Sequence, residues 1–212
     1  MEWFLTLATA AGFLALFAAS EATFHRGIPA DTTRRLTHVA GAGAAATFPL
    51  YLQLRDVLLL ACAFTTFLAY TCIRESLNSI HGVTRPSAGA LFFPIGLGCT
   101  ALVAWGHPMA FAFGALVLAL ADPAAGAMGG RVTSLSWRVP GGTKSLCGSL
   151  ALFVVVAGLG AIFGIAVGDL RPVKLAAAAA VLSVIEGSLG YGLDNLLLPL
   201  AASVLGQTLL SF

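Results

Sequence analysis

The sequence predicts an all-α protein, a polytopic integral membrane bundle of about seven to eight transmembrane helices. Two observations carry that expectation. The chain is 58% hydrophobic and only 9% charged, with a mean hydropathy of +0.94, whereas an ordinary soluble domain is about a quarter charged. The apolar residues also fall into runs near 3–20, 39–54, 56–73, 89–105, 108–122, 148–168, 172–188 and 194–210, and a spanning helix needs about 20 mainly apolar residues. The 212 residues leave no room for a sizeable soluble domain. No linker, low-complexity tail or internal repeat divides them, so 1–212 is expected to form a single membrane-embedded domain whose helices satisfy their own backbone in lipid.

The first run carries Glu2 and no positive charge before its apolar stretch, which argues against a cleaved signal peptide. As a helix it rises about 27 Å, enough to cross with Trp3 at the interface. Arg55-Asp56 is the only break between the second and third runs, and Gly106-His107-Pro108 separates the fourth from the fifth; both read as tight helical hairpins. The fifth run closes on Asp122, which followed by Pro123 also fits an N-cap for a new helix. The seventh reaches Glu186 within a single helix, a costly place for an ionisable group unless it faces a polar cavity or the bundle interior. Cys62, Cys72, Cys99 and Cys147 show no ligand spacing and read mostly as apolar packing residues.

The basic residues sort the connections. Arg26, Arg34, Arg35, Arg74, Arg85, Arg131, Arg138 and Lys144 fall on one set of alternate connections, against Arg55, Arg171 and Lys174 on the other. The positive-inside rule places the first set in the cytoplasm. Asp122, the Gly-rich stretch, Lys144, Glu186, Asp194 and Asn195 share that side, as do Arg34, Arg35 and His38. The net charge of +2 gives no reason to expect a nucleic-acid partner. An integral membrane protein with its site facing the cytoplasm is expected, in a prokaryotic plasma membrane.

The stretch LADPAAGAMGGR, followed by WRVPGGTKSLCGS, invites comparison with a phosphate-binding loop. Walker A needs G-x-x-x-x-G-K-[ST] after a strand, and Gly141-Gly142-Thr143-Lys144-Ser145 lacks that spacing. The residue types still suit phosphate. A carboxylate can hold Mg²⁺, small residues let backbone N–H groups approach, and Arg131 with Lys144 can balance a triphosphate. Close helix packing is the competing explanation for the glycines.

Four blocks in order resemble the CTP-dependent lipid-alcohol kinases: the phytol and farnesol kinases, dolichol kinase and CTP-dependent diacylglycerol kinase. They are RRLTHVAGAG at 34–43, SAGALFFPIGLG at 87–98, the central block of Asp122, Ala125, Gly129 and Arg131 with Lys144-Ser145 and Gly148-Ser149, and EGSLGYGLDNLLLP at 186–199. Gly130, Gly187 and Gly190 depart from the family's usual residues.

The resemblance implies phosphorylation of a membrane lipid alcohol with CTP as donor and Mg²⁺ as cofactor. The substrate would be an isoprenoid alcohol such as phytol, farnesol or a polyprenol, or diacylglycerol. It marks Asp122, Arg34, Arg35 and Glu186 as catalytic. Gly129, Arg131, Lys144, Ser145, Gly148, Ser149 and Asn195 would bind nucleotide, and Asp122, Glu186 and Asp194 would hold the metal. Which carboxylate acts as base stays open, as does the oligomeric state, and His38 is divided between a site role and a structural hydrogen bond. A cytidylyltransferase making a CDP-lipid shares the central block but not the closing one. A non-enzymatic transporter would accommodate Glu186 but not the one-sided polar groups.

Overall fold

The computed structural model describes residues 2–82 and 87–211; Arg85 lies outside the described residues. The chain is overwhelmingly helical. Helices α1 (Glu2–His25), α2 (Ala30–Ala45), α3 (Leu54–Ile73), the single turn α4 (Asn78–His81), α5 (Gly89–Ala104), α6 (Pro108–Leu116) and α7 (Asp122–Arg131) come first. A β-hairpin, β1 (Ser136–Val139) and β2 (Gly142–Ser145), then leads to α8 (Leu146–Ala166), α9 (Pro172–Ser188) and α10 (Asp194–Leu205). Among the described residues four helices are long and apolar enough to cross a membrane: Trp3–His25, Leu54–Ile73, Pro108–Arg131 and Leu146–Ala166. The shorter Gly89–Ala104 and Asp194–Leu210 are apolar as well.

Three local expectations are revised. The second apolar run is not one helix: α2 begins at Ala30, and the chain turns through a 3₁₀ segment at Phe48–Leu50. Proline at its first turn and the lack of a further helical donor explain the break. Arg55 and Asp56 are not a connecting loop but the first turn of α3. There the Asp56 carboxylate accepts the Gln53 backbone N–H at 3.0 Å, the reciprocal bond of a capping box. Finally, the helix does not end at Asp122. A π-turn at Val117–Ala121 carries α6 into α7, so Asp122 is an interior residue of the Pro108–Arg131 span. Pro123 has no N–H and its ring crowds the carbonyl one turn back; widening the turn relieves that crowding without stopping the helix.

This long helix is the spine. Phe111, Ala115 and Leu118 pack with Ala42, Phe48, Val57, Leu60 and Leu97 from α2, α3, α5 and the 3₁₀ segment. Phe113, Val117 and Ala121 pack into a second core with Leu152, Val156, Leu182 and Leu198 from α8, α9 and α10. A helix apolar on all sides belongs in the interior. With no solvent-driven force between helices in lipid, close approach and interhelical hydrogen bonds hold such a bundle. Accordingly Ser203 donates to Ala110 O at 2.9 Å, and Gly114 lies where a side chain would strike Pro199 O and Ser203 on α10.

Candidate active site

The polar residues converge at one end of the bundle on a cavity of about 530 Å³. Its walls are α2, α7, the hairpin, the first turn of α8, the end of α9 and the start of α10. Of the residues singled out from the sequence, Arg34, Arg35, Asp122, Gly129, Lys144, Ser145, Gly148, Glu186, Asp194 and Asn195 line it. Arg131 does not line it and is solvent-exposed at the end of α7. Ser149 also lies off the wall, with its hydroxyl buried and without a hydrogen-bond partner, next to Gly187.

Each wall has a sequence reason. On α2, Arg34 and Arg35 are adjacent, so they point about 100° apart. Arg34 donates through Nη2 to the Ser87 hydroxyl at 3.0 Å, while Arg35 pairs with Asp31 one turn earlier at 2.7 Å. One turn on, His38 is largely buried and donates from Nε2 to Leu118 O at 2.8 Å. In the i→i+5 register of the π-turn, the donor due at Leu118 O belongs to residue 123, which is proline. His38 therefore supplies the bond that Pro123 cannot. The same nitrogen lies 3.8 Å from Asp122 Oδ2.

The opposite wall is built by the hairpin. Pro140 followed by Gly141 at φ +78° makes the two-residue turn, and Lys144 pairs across the strands with Trp137. Lys144 donates to Glu186 and, at 3.1 Å, to Asp194. The Glu186 side chain is only 5% exposed, and those of Lys144 and Asp194 are 17% and 16%. Burial pushes the Lys144 ammonium down, but Asp194 and Glu186, with a smaller contribution from Asp122, outweigh it and hold its pKa above the ordinary lysine value.

The glycines that mattered most are close approaches. A side chain at Gly129 would come 2.8 Å from Ser145 Oγ, and one at Gly148 would come 2.9 Å from Ala125 O, so α7 and α8 cross almost backbone to backbone. Ser145 caps α8 by accepting the Gly148 N–H at 3.2 Å. The positive ends of α8 and α10 thereby open onto the cavity, which favours an anion there.

Sequence reasoning missed the hairpin and what it rests on. Trp137 donates from its indole to Gly187 O at 2.7 Å, and its ring lies 3.1 Å from where a Gly187 side chain would begin. Gly190 lies against the Pro140 carbonyl, and the Tyr191 ring covers Gly141. Gly187 and Gly190, which looked like departures from the family pattern, are the seats of the hairpin. A lone tryptophan in a polar stretch was the available signal. Asp31, Ser87, Thr143 and Tyr191 also line the cavity.

With this geometry in hand, sequence comparison decides the family. The chain is 30% identical over 187 residues to a phytol kinase from Synechocystis sp., a match covering 84% of this chain and 78% of that protein. The chain belongs to the lipid-alcohol kinase family. No family model and no solved structure matches it.

For a lipid-alcohol kinase the distribution of charge is informative. Arg34, Arg35 and Lys144 line one cavity with Asp31, Asp122, Glu186 and Asp194. The carboxylates are divided between two walls. Among the described residues no three Asp, Glu, His or Cys side chains gather closely enough to hold a metal ion. Asp122 thus stands with His38, while Glu186 and Asp194 stand together on Lys144. Mg²⁺ is commonly held by one or two carboxylates plus substrate phosphates, and Glu186 and Asp194 are two cavity carboxylates brought together, here around Lys144.

Proposed function

We propose that this protein transfers the γ-phosphoryl group of CTP to the hydroxyl of a membrane lipid alcohol, an isoprenoid alcohol or diacylglycerol, at the cytoplasmic interface. The observation that carries the proposal is one cavity at one end of an apolar bundle, with cations and carboxylates together on each of its two walls and two helix N-termini opening into it. Phosphoryl transfer needs chiefly positioning and charge stabilisation, and those groups supply both. The eight longer helices, counting α6–α7 as one, would be the passes of the bundle. The shorter ones, such as α2 at about 24 Å by helical rise, would be held within it by their neighbours.

In the reaction the alcohol oxygen bonds to the γ-phosphorus, the bond to the β–γ bridging oxygen breaks, and CDP leaves with that electron pair. The alcohol proton passes to a carboxylate. Asp122 is assigned as that acceptor because it lines the cavity beside His38, on the wall away from the Lys144 cluster. Arg34 and Lys144 balance the triphosphate, and Gly129, Ser145, Gly148 and Asn195 shape its bed. Mg²⁺ would be held by Glu186 and Asp194 and would neutralise charge on the phosphate oxygens.

Purified protein incubated with γ-labelled CTP and a panel of lipid alcohols tests the reading. Label in a lipid phosphate is the expected result. Label released as pyrophosphate, with CMP on the lipid, would identify a cytidylyltransferase instead. Asp122→Asn is expected to lower kcat by about 10²–10⁴ in a protein that still folds; near-normal turnover would remove Asp122 from the role.

A further inference from the structure

We propose that the hydrocarbon chain of the substrate lies in an aromatic crevice between α1, α2, α3 and α5, and that Gly41 keeps this crevice open. The inference rests on the kinase reading and adds to it a place for the tail.

Two small apolar hollows, of about 50 and 40 Å³, lie beside the polar cavity. They share Phe13, Phe17, Leu68 and Phe93, so they adjoin one another, and the proposed path takes in both. The upper hollow also reaches Arg34, His38 and Asn195, which line the polar cavity as well. The hollows therefore abut the wall of the polar cavity that carries Arg34, His38 and Asn195. Its walls are rings: Phe13 and Phe64 are 5.4 Å apart, Phe17 and Phe64 are 5.8 Å apart, and His38 meets Phe93 edge-on at 5.1 Å. The far end is closed by Phe48, Val57 and Leu60. On its outer side stands α1, whose Phe4, Leu7 and Leu14 are exposed, so the path is bordered by a helix that faces lipid.

An alcohol entering this path would have its tail among apolar rings and its hydroxyl beside Arg34, His38 and Asn195. That occupant fits both ends, whereas a nucleotide fits only the polar one. Gly41 decides the width. A side chain there would begin 3.4 Å from both Phe13 and Phe93, so anything larger than a methyl group would enter the gap between the rings. Gly41 sits inside α2, where replacing glycine improves rather than weakens helix propensity, so the substitution acts on the crevice and not on the helix.

The test compares wild type and Gly41→Leu on prenol, whose chain is too short to occupy the crevice, and on phytol. The ratio of kcat/KM for phytol to that for prenol is expected to fall on the order of tenfold to a hundredfold in the variant. An unchanged ratio overturns the crevice while leaving the kinase reading intact. A second measurement does not depend on turnover: a long-chain alcohol carrying a diazirine at its tail is photolysed with the wild-type protein. Labelling of peptides containing Phe13, Phe64 or Phe93 is expected; labelling confined to α8 and α9 overturns the proposal. If wild type phosphorylates no alcohol but the diazirine still marks these peptides, the kinase reading fails and the crevice stands as a lipid site.

Discussion

Replacing Lys144 with methionine removes the one ammonium shared by Glu186 and Asp194, and its consequence follows from their burial. Breaking a buried ion pair by deleting one partner costs about 3–5 kcal/mol, because the surviving charge is left without compensation. Here two carboxylates are stranded, which pushes the cost up. The cavity is open to water and Lys144 is 17% exposed, which pulls it down, so about 3 kcal/mol is the working figure. For a chain of this size that is roughly 6–12 °C in Tm, readable by thermal unfolding in detergent. Removing the stranded charges as well, in Lys144→Met/Glu186→Gln/Asp194→Asn, is expected to restore more than half of the loss. Both variants should lose activity by about 10²–10³, the size of losing one preorganised charge contact. Stability and chemistry would thereby separate. A Lys144→Met protein that melts with wild type would refute the reasoning, since the carboxylates would then have found another partner or never carried charge together.

Further outcomes follow from the same geometry. Gly148→Ala places a methyl group 2.9 Å from Ala125 O and should cost about 1–3 kcal/mol by forcing α7 from α8, seen as a lowered Tm. His38→Ala leaves Leu118 O without its donor, a loss of about 1–3 kcal/mol. His38→Gln, whose amide still donates, should recover part of it in the same melt. Because the folded-state pKa of Lys144 lies above its ordinary value of 10.5, the stabilisation from this ion pair is fully present below that value. It is lost as pH rises through the folded value. The Tm gap between wild type and Lys144→Met should therefore hold across the neutral range and shrink only in strong alkali.

How far the sequence could be read depended on which interaction set each feature. Apolar run length is a one-dimensional property, and α5, α8 and α9 begin and end within two residues of the expected bounds. Asp122 was mislocated for a local reason: the Asp-Pro pair is the signature of a helix start, and only packing on both faces shows that the helix passes through it by a π-turn. The gathering of Arg34, Asp122, Lys144 and Glu186 was anticipated through the order of the family's blocks. The division of carboxylates was not, because which of them meets Lys144 is fixed by the hairpin. That hairpin was invisible as a strand pair in a short polar stretch. Its seats, Gly187 and Gly190, looked like departures until the Trp137 ring and Pro140 carbonyl were seen against them.

A kinase for lipid alcohols must bring together a substrate that stays in hydrocarbon and a donor that stays in water. The two walls of this cavity answer that requirement separately. Lys144 sits on the hairpin just before α8, Asp194 starts α10 and Glu186 ends α9, so the starts of α8 and α10, whose dipoles favour phosphate, flank this cluster. Asp122 sits on the spine helix beside His38, whose ring also borders the proposed crevice. Pro123 links the helix to α2, because the widened turn it imposes presents the Leu118 carbonyl to His38, with Asp122 beside the same ring. A straight α-helix through residues 117–123 would rotate Asp122 relative to α2 and remove the reason for a histidine at 38. The helix irregularity, the buried histidine and the position of Asp122 are thus one structural feature, and a change at any of the three should be felt at the other two.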